Sequence, residues 1–176
     1  SWFSPVKAVP VGTTFVRGWD LAATEGGGDY TAGIKIGRYP NGRFVIAGVE
    51  REQFSAAKVE RLIKDTAAQD GYAVRISLPQ DPGQAGKQQA SYYVLQLAGY
   101  TVKATLESGA KTDRANPLAA QAEAGNVDIL IGDWNEVFLS ELCIFPNGKY
   151  DDQVDGASRA FNTLVLEPNF DIGAMT

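Results

Sequence analysis

The sequence predicts one α/β domain built on a mixed sheet, in which an antiparallel three-stranded meander is followed by parallel strands and helices cover both faces. Three strand-like segments follow one another early in the chain, and a Pro-Asn-Gly turn joins the second to the third. Helical and strand-like segments then alternate, which favours a mixed sheet with helices on both sides. The length of 176 residues suits a single domain with its own core.

The meander is predicted over residues 14–23, 30–39 and 43–52, with Pro40-Asn41-Gly42 as its hairpin turn. Ser55 is the expected N-cap of the first helix. The later predicted elements are a helix over 56–70, a strand over 72–78, a helix over 87–98, a strand over 100–106, a helix over 111–123, a strand or hairpin arm over 126–131, and helices over 134–142 and 157–166.

The two ends of the chain lack a periodic pattern. Residues 1–13 contain two prolines and are expected to form a linker or extended arm. The domain is then expected to span 14–166, and residues 167–176 are expected to form a flexible tail.

Composition excludes several kinds of catalytic site. The chain has no histidine and a single cysteine, Cys143, so the usual zinc sites, Ser-His-Asp triads and Cys-His dyads are ruled out. An enzyme of this composition would depend on carboxylates and a hard cation such as Mg²⁺ or Mn²⁺. A net charge of −5 argues against tight autonomous binding of nucleic acid, but it allows an enzyme that another domain holds on DNA. No long apolar run or signal pattern is present, so a cytosolic protein without membrane contact is expected.

Five aspartates are candidate metal ligands. Asp20 lies in the first strand, Asp81 follows a buried strand, and Asp151, Asp152 and Asp155 lie where the last helix is expected to begin. Residues three apart share a helix face, so Asp152 and Asp155 are expected to point the same way and Asp151 elsewhere. Carboxylates at strand ends and on a helix could hold two divalent ions about 4 Å apart. The alternative interpretation is that these aspartates are ordinary turn and helix caps.

The segment around Asp81 also resembles a phosphate-binding loop. It reads Asp81-Pro82-Gly83-Gln84-Ala85-Gly86-Lys87, but it lacks the Walker spacing, and Gln88 stands where a hydroxyl is needed. An aspartate at the carboxyl end of a central strand is the simpler interpretation.

Several motifs in combination resemble the nuclease domain of tailed-bacteriophage terminase large subunits, which belongs to the RNase H-like superfamily. The resemblance extends over almost all of residues 17–166. The motifs that carry it are RGWDLAAT, GGGDYTAGIKIG, PQDPGQAGK, KTDRANPLAAQAEAGNV and FPNGKYDDQVDGAS.

The resemblance implies a metal-dependent endonuclease that binds Mg²⁺ or Mn²⁺ as two ions and cuts concatemeric viral DNA. Carried over by motif, Asp20, Asp81 and Asp152 would be the catalytic metal ligands, and Asp155 would be a fourth ligand. The implied partners are double-stranded DNA and, in the full-length protein, an ATPase domain, a small terminase subunit and the portal. This sequence shows no Walker motif, so the chain is expected to cut DNA without pumping it. The implied location is the host cytoplasm.

Three basic residues are expected near the same end of the sheet. Lys87, Lys111 and Arg114 are candidate phosphate contacts, with solvated surface charge as the alternative for each. Two positions depart from the family pattern. Tyr150 stands where many relatives have histidine, and Gly156 stands where alanine is usual and is expected to weaken the helix start slightly.

Two other functions remain open from the sequence. A different RNase H-like enzyme, such as a junction resolvase or recombinase, would prefer branched DNA or RNA–DNA hybrids. A non-catalytic module that docks on DNA or the portal ring would show no stabilisation by metal.

Overall fold

A computed structural model describes residues 1–22 and 26–166 of the chain. In these residues the strands are β1 (Phe3–Val6), β2 (Thr14–Asp20), β3 (Thr31–Arg38), β4 (Phe44–Glu52), β5 (Arg75–Pro79), β6 (Val102–Thr105) and β7 (Val127–Leu130). The helices are α1 (Ala56–Asp70), α2 (Gln84–Gln96), α3 (Lys111–Glu123), α4 (Asn135–Ile144) and α5 (Asp152–Leu166). The predicted tail 167–176 lies outside the described residues.

The strands form one mixed sheet in the order β1-β7-β4-β3-β2-β5-β6. β2, β3 and β4 are an antiparallel meander, whereas β5 joins β2 in parallel and β6 joins β5 in parallel. On the other side, β7 pairs in parallel with β4. The predicted fold class, a meander followed by parallel strands, is therefore confirmed.

The edge strand β1 was not predicted. It pairs in parallel with β7, with Phe3 opposite Val127 and Val6 opposite Leu130. The first residues are extended, as expected, but they join the sheet and do not form a separate arm. An edge strand that is largely exposed and contains Pro5 carries no clear alternating pattern, and proline is tolerated at a sheet edge. The expected start of the domain at residue 14 stays a prediction.

Helices cover both faces of the sheet, and each face has its own apolar cluster. α3, α4 and α5 pack on one face, where Phe138, Ala160 and Phe161 are buried against strand residues such as Ile34 and Ile46. The opposite face is covered by α1 and α2. The core residues there are Trp19, Val59, Ile63, Ala67, Ile76, Leu78, Tyr93 and Leu97.

α5 crosses the centre of the sheet at very short range. A methyl group added at Gly18 in β2 would lie 2.5 Å from the Ala160 nitrogen and 2.5 Å from the Gly156 carbonyl oxygen. At Gly156 itself, an added methyl would lie 3.1 Å from Ile34 Cγ1 and 3.2 Å from the Gly18 oxygen. The two glycines face each other, so Gly156 allows α5 to approach the sheet closely. This packing role comes in addition to the expected weakening of the helix start.

Some helix details differ from the predictions. Ser55 occupies the N-cap position of α1, but its side chain makes no capping hydrogen bond. α2 begins at Gln84, three residues before the predicted start at Lys87, because Gly83 with φ of 93° turns the chain directly into the helix. Within the described residues, no helix is long and apolar enough to cross a membrane.

Candidate metal centre

Three carboxylates lie at the carboxyl ends of three neighbouring parallel strands, β2, β5 and β6. Asp20 is the last residue of β2, Asp81 comes two residues after β5, and Glu107 comes two residues after β6. Carboxyl ends of parallel strands meet at the same edge, where α/β sheets place ligands. All three side chains line a cleft of about 370 Å³.

The first turn of α5 adds two more carboxylates on the same side. Asp152 and Asp155 are each only 5% exposed. Oδ2 of Asp152 accepts a hydrogen bond of 3.2 Å from the Tyr30 backbone N–H. Oδ1 of Asp155 is buried and accepts no hydrogen bond within the described residues. A buried carboxylate oxygen without a donor is costly unless a cation neutralises it.

Burial and repulsion by neighbouring carboxylates raise the pKa of Asp20, Asp152 and Asp155. Burial is the largest cause that raises the pKa of Asp20 to about 9, followed by the charges of Asp155 and Asp152. Asp20, when protonated, also donates a hydrogen bond to Asp152. Burial likewise raises the pKa of Asp152 and of Asp155, and in Asp155 the hydrogen bond and charge of Lys111 oppose this. Without a cation, Asp20 therefore holds a proton at neutral pH.

Basic side chains from α3 neutralise the outer part of this cluster. Lys111 Nζ lies 2.8 Å from Oδ2 of Asp155 and 2.8 Å from Oδ2 of Asp151. Arg114 Nη2 lies 3.6 Å from Oδ1 of Asp155. Burial lowers the pKa of Lys111, but its hydrogen bonds to Asp151 and Asp155 outweigh this, and the net shift is upward. Asp151, which directly precedes α5, was expected to point away from Asp155, yet Lys111 of α3 pairs with both.

Glu107 was not among the predicted site residues. Its Oε1 accepts a 2.7 Å hydrogen bond from the buried Arg159 of α5, and Arg114 Nη2 lies 3.2 Å from Oε2. Arg159 also donates to the Leu78 carbonyl and to Thr105 Oγ1, which ties α5 to the ends of β5 and β6. The signal was present in the sequence, because Glu107 directly follows the predicted strand 100–106, and Asp81 likewise comes shortly after the predicted strand 72–78.

The fold thus brings Asp20, Asp152 and Asp155 together across more than a hundred residues of chain. Asp81 lines the same cleft but is exposed. Lys87, in the first turn of α2, is also exposed. In the described part of the chain, no three acidic, histidine or cysteine side chains lie close enough together to form a complete metal-ligand set.

The donor set nevertheless suits a hard divalent cation. Carboxylate oxygens are the ligands that Mg²⁺ and Mn²⁺ prefer. Among the described residues, Oδ1 of Asp155 accepts no hydrogen bond and has only the Arg114 guanidinium near it at 3.6 Å, and Asp20 shares a proton with Asp152; a bound cation would satisfy both features. Asp20, Asp152 and Asp155 are the side chains that could hold it, and the exposed Asp81 lines the cleft together with Asp20.

The raised pKa of Asp20 predicts a pH dependence of stability in the presence of a chelator. Between the ordinary value of 3.8 and about 9, the native state keeps a proton that the unfolded chain has lost. The free energy of unfolding should therefore fall as pH rises through this range, and level off above it. Urea unfolding at pH 5, 7 and 9 measures the slope. Asp20→Asn should flatten it, and an unchanged slope in this variant would contradict the assignment to Asp20.

The sequence matches a family profile described as the terminase RNaseH-like domain over residues 17–164. Comparison with curated proteins gives no significant match.

Solved structures with the same fold include viral nucleases. The large terminase nuclease of the thermophilic phage G20c with bound zinc has a TM-score of 0.65 at 18% identity, and the match covers 89% of this chain and 85% of that one. The human cytomegalovirus terminase nuclease domain, soaked with manganese and bound to an inhibitor, has a TM-score of 0.62 at 15% identity. The match covers 86% of this chain and 81% of that one. The Fowlpox virus resolvase in complex with Holliday junction DNA has a TM-score of 0.56 at 7% identity. The match covers 89% of this chain and 100% of that one.

Proposed function

This chain belongs to the terminase RNaseH-like domain family, and from that premise we propose that it is the metal-dependent DNA endonuclease domain of a phage DNA-packaging terminase. The proposed reaction is two-metal-ion hydrolysis of phosphodiester bonds, by which concatemeric viral DNA is cut. The proposed site comprises Asp20, Asp81 and Asp152 as catalytic ligands, with Asp155 as a further metal ligand.

The observation that carries this proposal is the group of three carboxylates formed by Asp20, Asp152 and Asp155, in which the two α5 residues are buried and Asp20 is half-buried. Three carboxylates are held together even though burial and repulsion raise the pKa of each one. Such an arrangement costs stability in the free protein, and raised pKa values of this kind are typical of functional sites. A divalent cation is the ligand that would offset this cost.

The side chains have distinct tasks in the proposed reaction. Two bound Mg²⁺ or Mn²⁺ ions would supply activation of a water molecule and stabilisation of the leaving oxygen. Asp20 must first release the proton that it shares with Asp152, so metal binding is expected to weaken at low pH. Arg159 and Arg114 hold Glu107 at the cleft wall, which keeps its charge beside Asp20.

Basic residues are proposed to receive the DNA backbone. Lys111 and Arg114 stand beside the acidic cluster, and Lys87 is exposed at the start of α2. Their ammonium and guanidinium groups suit phosphate oxygens. The net charge of −5 implies weak binding of DNA by this domain alone. An ATPase domain, a small terminase subunit and the portal are the further proposed partners, in the host cytoplasm.

Cleavage of supercoiled plasmid with Mg²⁺, Mn²⁺ or Ca²⁺ in parallel tests the proposal. We expect nicked and linear products with Mn²⁺ and Mg²⁺, little sequence preference, and no product with Ca²⁺, whose looser coordination does not support this chemistry. A chelator should stop cleavage. Persistent cleavage in the chelator, or none with any metal, would overturn the proposal.

Two further measurements separate the alternatives. The fold shared with a resolvase makes a four-way junction the appropriate competing substrate, and a strong preference for it over linear duplex would favour a resolvase activity. A docking module without a metal site would melt at the same temperature with and without Mn²⁺. The proposed nuclease should melt higher with Mn²⁺, and more so at pH 8 than at pH 5, because binding requires deprotonated aspartates.

A further inference from the structure

The first turn of α5 is capped by a side chain from another helix. Backbone N–H groups at a helix start have no partner within the helix. Glu141 of α4 supplies one here: its Oε1 accepts hydrogen bonds from Gln153 N at 2.7 Å and from Val154 N at 3.4 Å. Its Oε2 accepts a hydrogen bond from the Gln153 side chain. Asp151, in contrast, directs its carboxylate to Lys111.

Glu141 is buried, with 5% exposure. A buried carboxylate is costly unless donors and positive charge surround it. Besides the three donors of α5 and the positive end of that helix, Arg51 Nε lies 3.8 Å from Oε2. These donors hold the Glu141 carboxylate in one position, and the same contacts hold the first turn of α5.

Arg51 continues the chain of contacts back to the metal centre. Its guanidinium carbon lies 3.4 Å from the centre of the Tyr30 ring, which packs edge-on against Tyr150 at 5.1 Å. The Tyr30 N–H donates to Oδ2 of Asp152. The contacts thus form a closed ring that runs from Glu141 through α5 to Asp152, then through Tyr30 and Arg51 back to Glu141.

We propose that Glu141 is a positioning residue that fixes the first turn of α5, and with it Asp152, for metal binding. This inference rests on the proposed function, because it concerns the same metal site. Glu141 is buried and both of its carboxylate oxygens accept hydrogen bonds from α5, so it acts through the helix and not on the substrate. Residues that orient metal ligands in this way typically change metal affinity when they are replaced.

Two variants separate hydrogen bonding from charge. Glu141→Gln and Glu141→Ala both remove the negative charge, but only alanine removes the acceptor of the Gln153 N–H. Once the Gln153 side-chain amide turns over, the NH2 group of the new glutamine can also donate to Oε1 of Gln153, which is buried without a partner among the described residues. We expect Glu141→Ala to raise the Mn²⁺ concentration for half-maximal cleavage about tenfold or more. Glu141→Gln should stay within about threefold of the unchanged protein, because its carbonyl keeps the cap.

Phe138→Leu is the matched control for stability. Phe138 lies on the same helix, is fully buried, and belongs to the same apolar cluster as Ala160 and Phe161 of α5. Its replacement therefore loosens the core under α5 and leaves the Glu141 cap in place. This variant should lower the melting temperature and leave the Mn²⁺ requirement of cleavage unchanged. Cleavage is measured at 25 °C, and Mn²⁺ binding is measured in parallel from the shift of melting temperature.

The outcomes are distinct. A Mn²⁺ requirement that rises in Glu141→Ala alone supports the positioning role. An equal rise in Glu141→Gln, or in Phe138→Leu, would overturn it, because charge or stability would then explain the effect. If the unchanged protein binds Mn²⁺ and Glu141→Ala binds it equally well, only the positioning role fails. If the unchanged protein neither binds Mn²⁺ nor cuts DNA, the proposed function fails and the positioning role fails with it.

Discussion

Asp20→Asn should reduce metal-dependent plasmid cleavage by about a thousandfold or more, because a metal ligand contributes several kcal/mol to the transition state. Asp20 ends the central strand β2 and faces Asp152 and Asp155 from the sheet side. Asparagine has the same shape but cannot supply the second anionic oxygen. The measurement is the initial rate of loss of supercoiled plasmid with Mn²⁺ at pH 8.

The fold should survive this change. Without metal, burial keeps Asp20 protonated at neutral pH, since its pKa is raised to about 9. Asparagine is a neutral replacement for that form, so the melting temperature in chelator should be equal or higher. Asp65→Asn is the matched control, because Asp65 is an exposed carboxylate on α1 whose ion pair with Arg61 lies at the surface. Cleavage by Asp20→Asn within tenfold of the Asp65→Asn rate would remove Asp20 from the site.

Gly18→Ala should cause the largest loss of stability of the variants considered. The new methyl group would lie 2.5 Å from two backbone atoms of α5 and 2.9 Å from a third. Backbone cannot move aside as a flexible side chain can, so α5 must shift away from β2. We expect a cost of about 3 kcal/mol, or a melting temperature about 10 °C lower. Thermal unfolding followed by circular dichroism measures it.

Gly48→Ala is the matched control for this variant. Gly48 is also a strand glycine, in β4, and a methyl group there would lie 3.6 Å from the Arg17 guanidinium, an ordinary contact distance. Neither Gly18 nor Gly48 has a positive φ, so backbone strain does not distinguish them. Gly48→Ala should change stability by less than about 1 kcal/mol. Equal melting temperatures for the two variants would show that α5 does not pack on Gly18 as described.

Displacement of α5 should also affect the site. Gly18 lies two residues before Asp20, and its partner Gly156 directly follows Asp155. The tight crossing of helix and strand therefore sets the separation between the carboxylates of β2 and those of α5. Gly18→Ala protein that remains folded at 25 °C should consequently cut DNA more slowly than Gly48→Ala protein.

Local patterns in the sequence were sufficient for much of the fold. Three apolar strand-like runs and the turn Pro40-Asn41-Gly42 predicted the meander, and the helical periodicity of residues 56–70 predicted α1 with its bounds. These signals are strong because strand and helix periods are fixed by backbone geometry. The edge strand β1 was missed, since its pairing with β7 depends on a segment more than 120 residues away.

For the candidate site, too, some features could be predicted from the sequence and others depend on tertiary packing. Residue types alone indicate which kind of site to expect, because a chain without histidine and with aspartates at strand ends offers the carboxylate oxygens that hard divalent cations prefer. Only the packing of distant segments places particular groups together: protonated Asp20 donates a hydrogen bond to Asp152, Asp155 forms an ion pair with Lys111, and Glu141 caps α5 from a different helix. The reason is that residue type is local, whereas burial, pKa and hydrogen-bond partners depend on elements packed from distant parts of the chain.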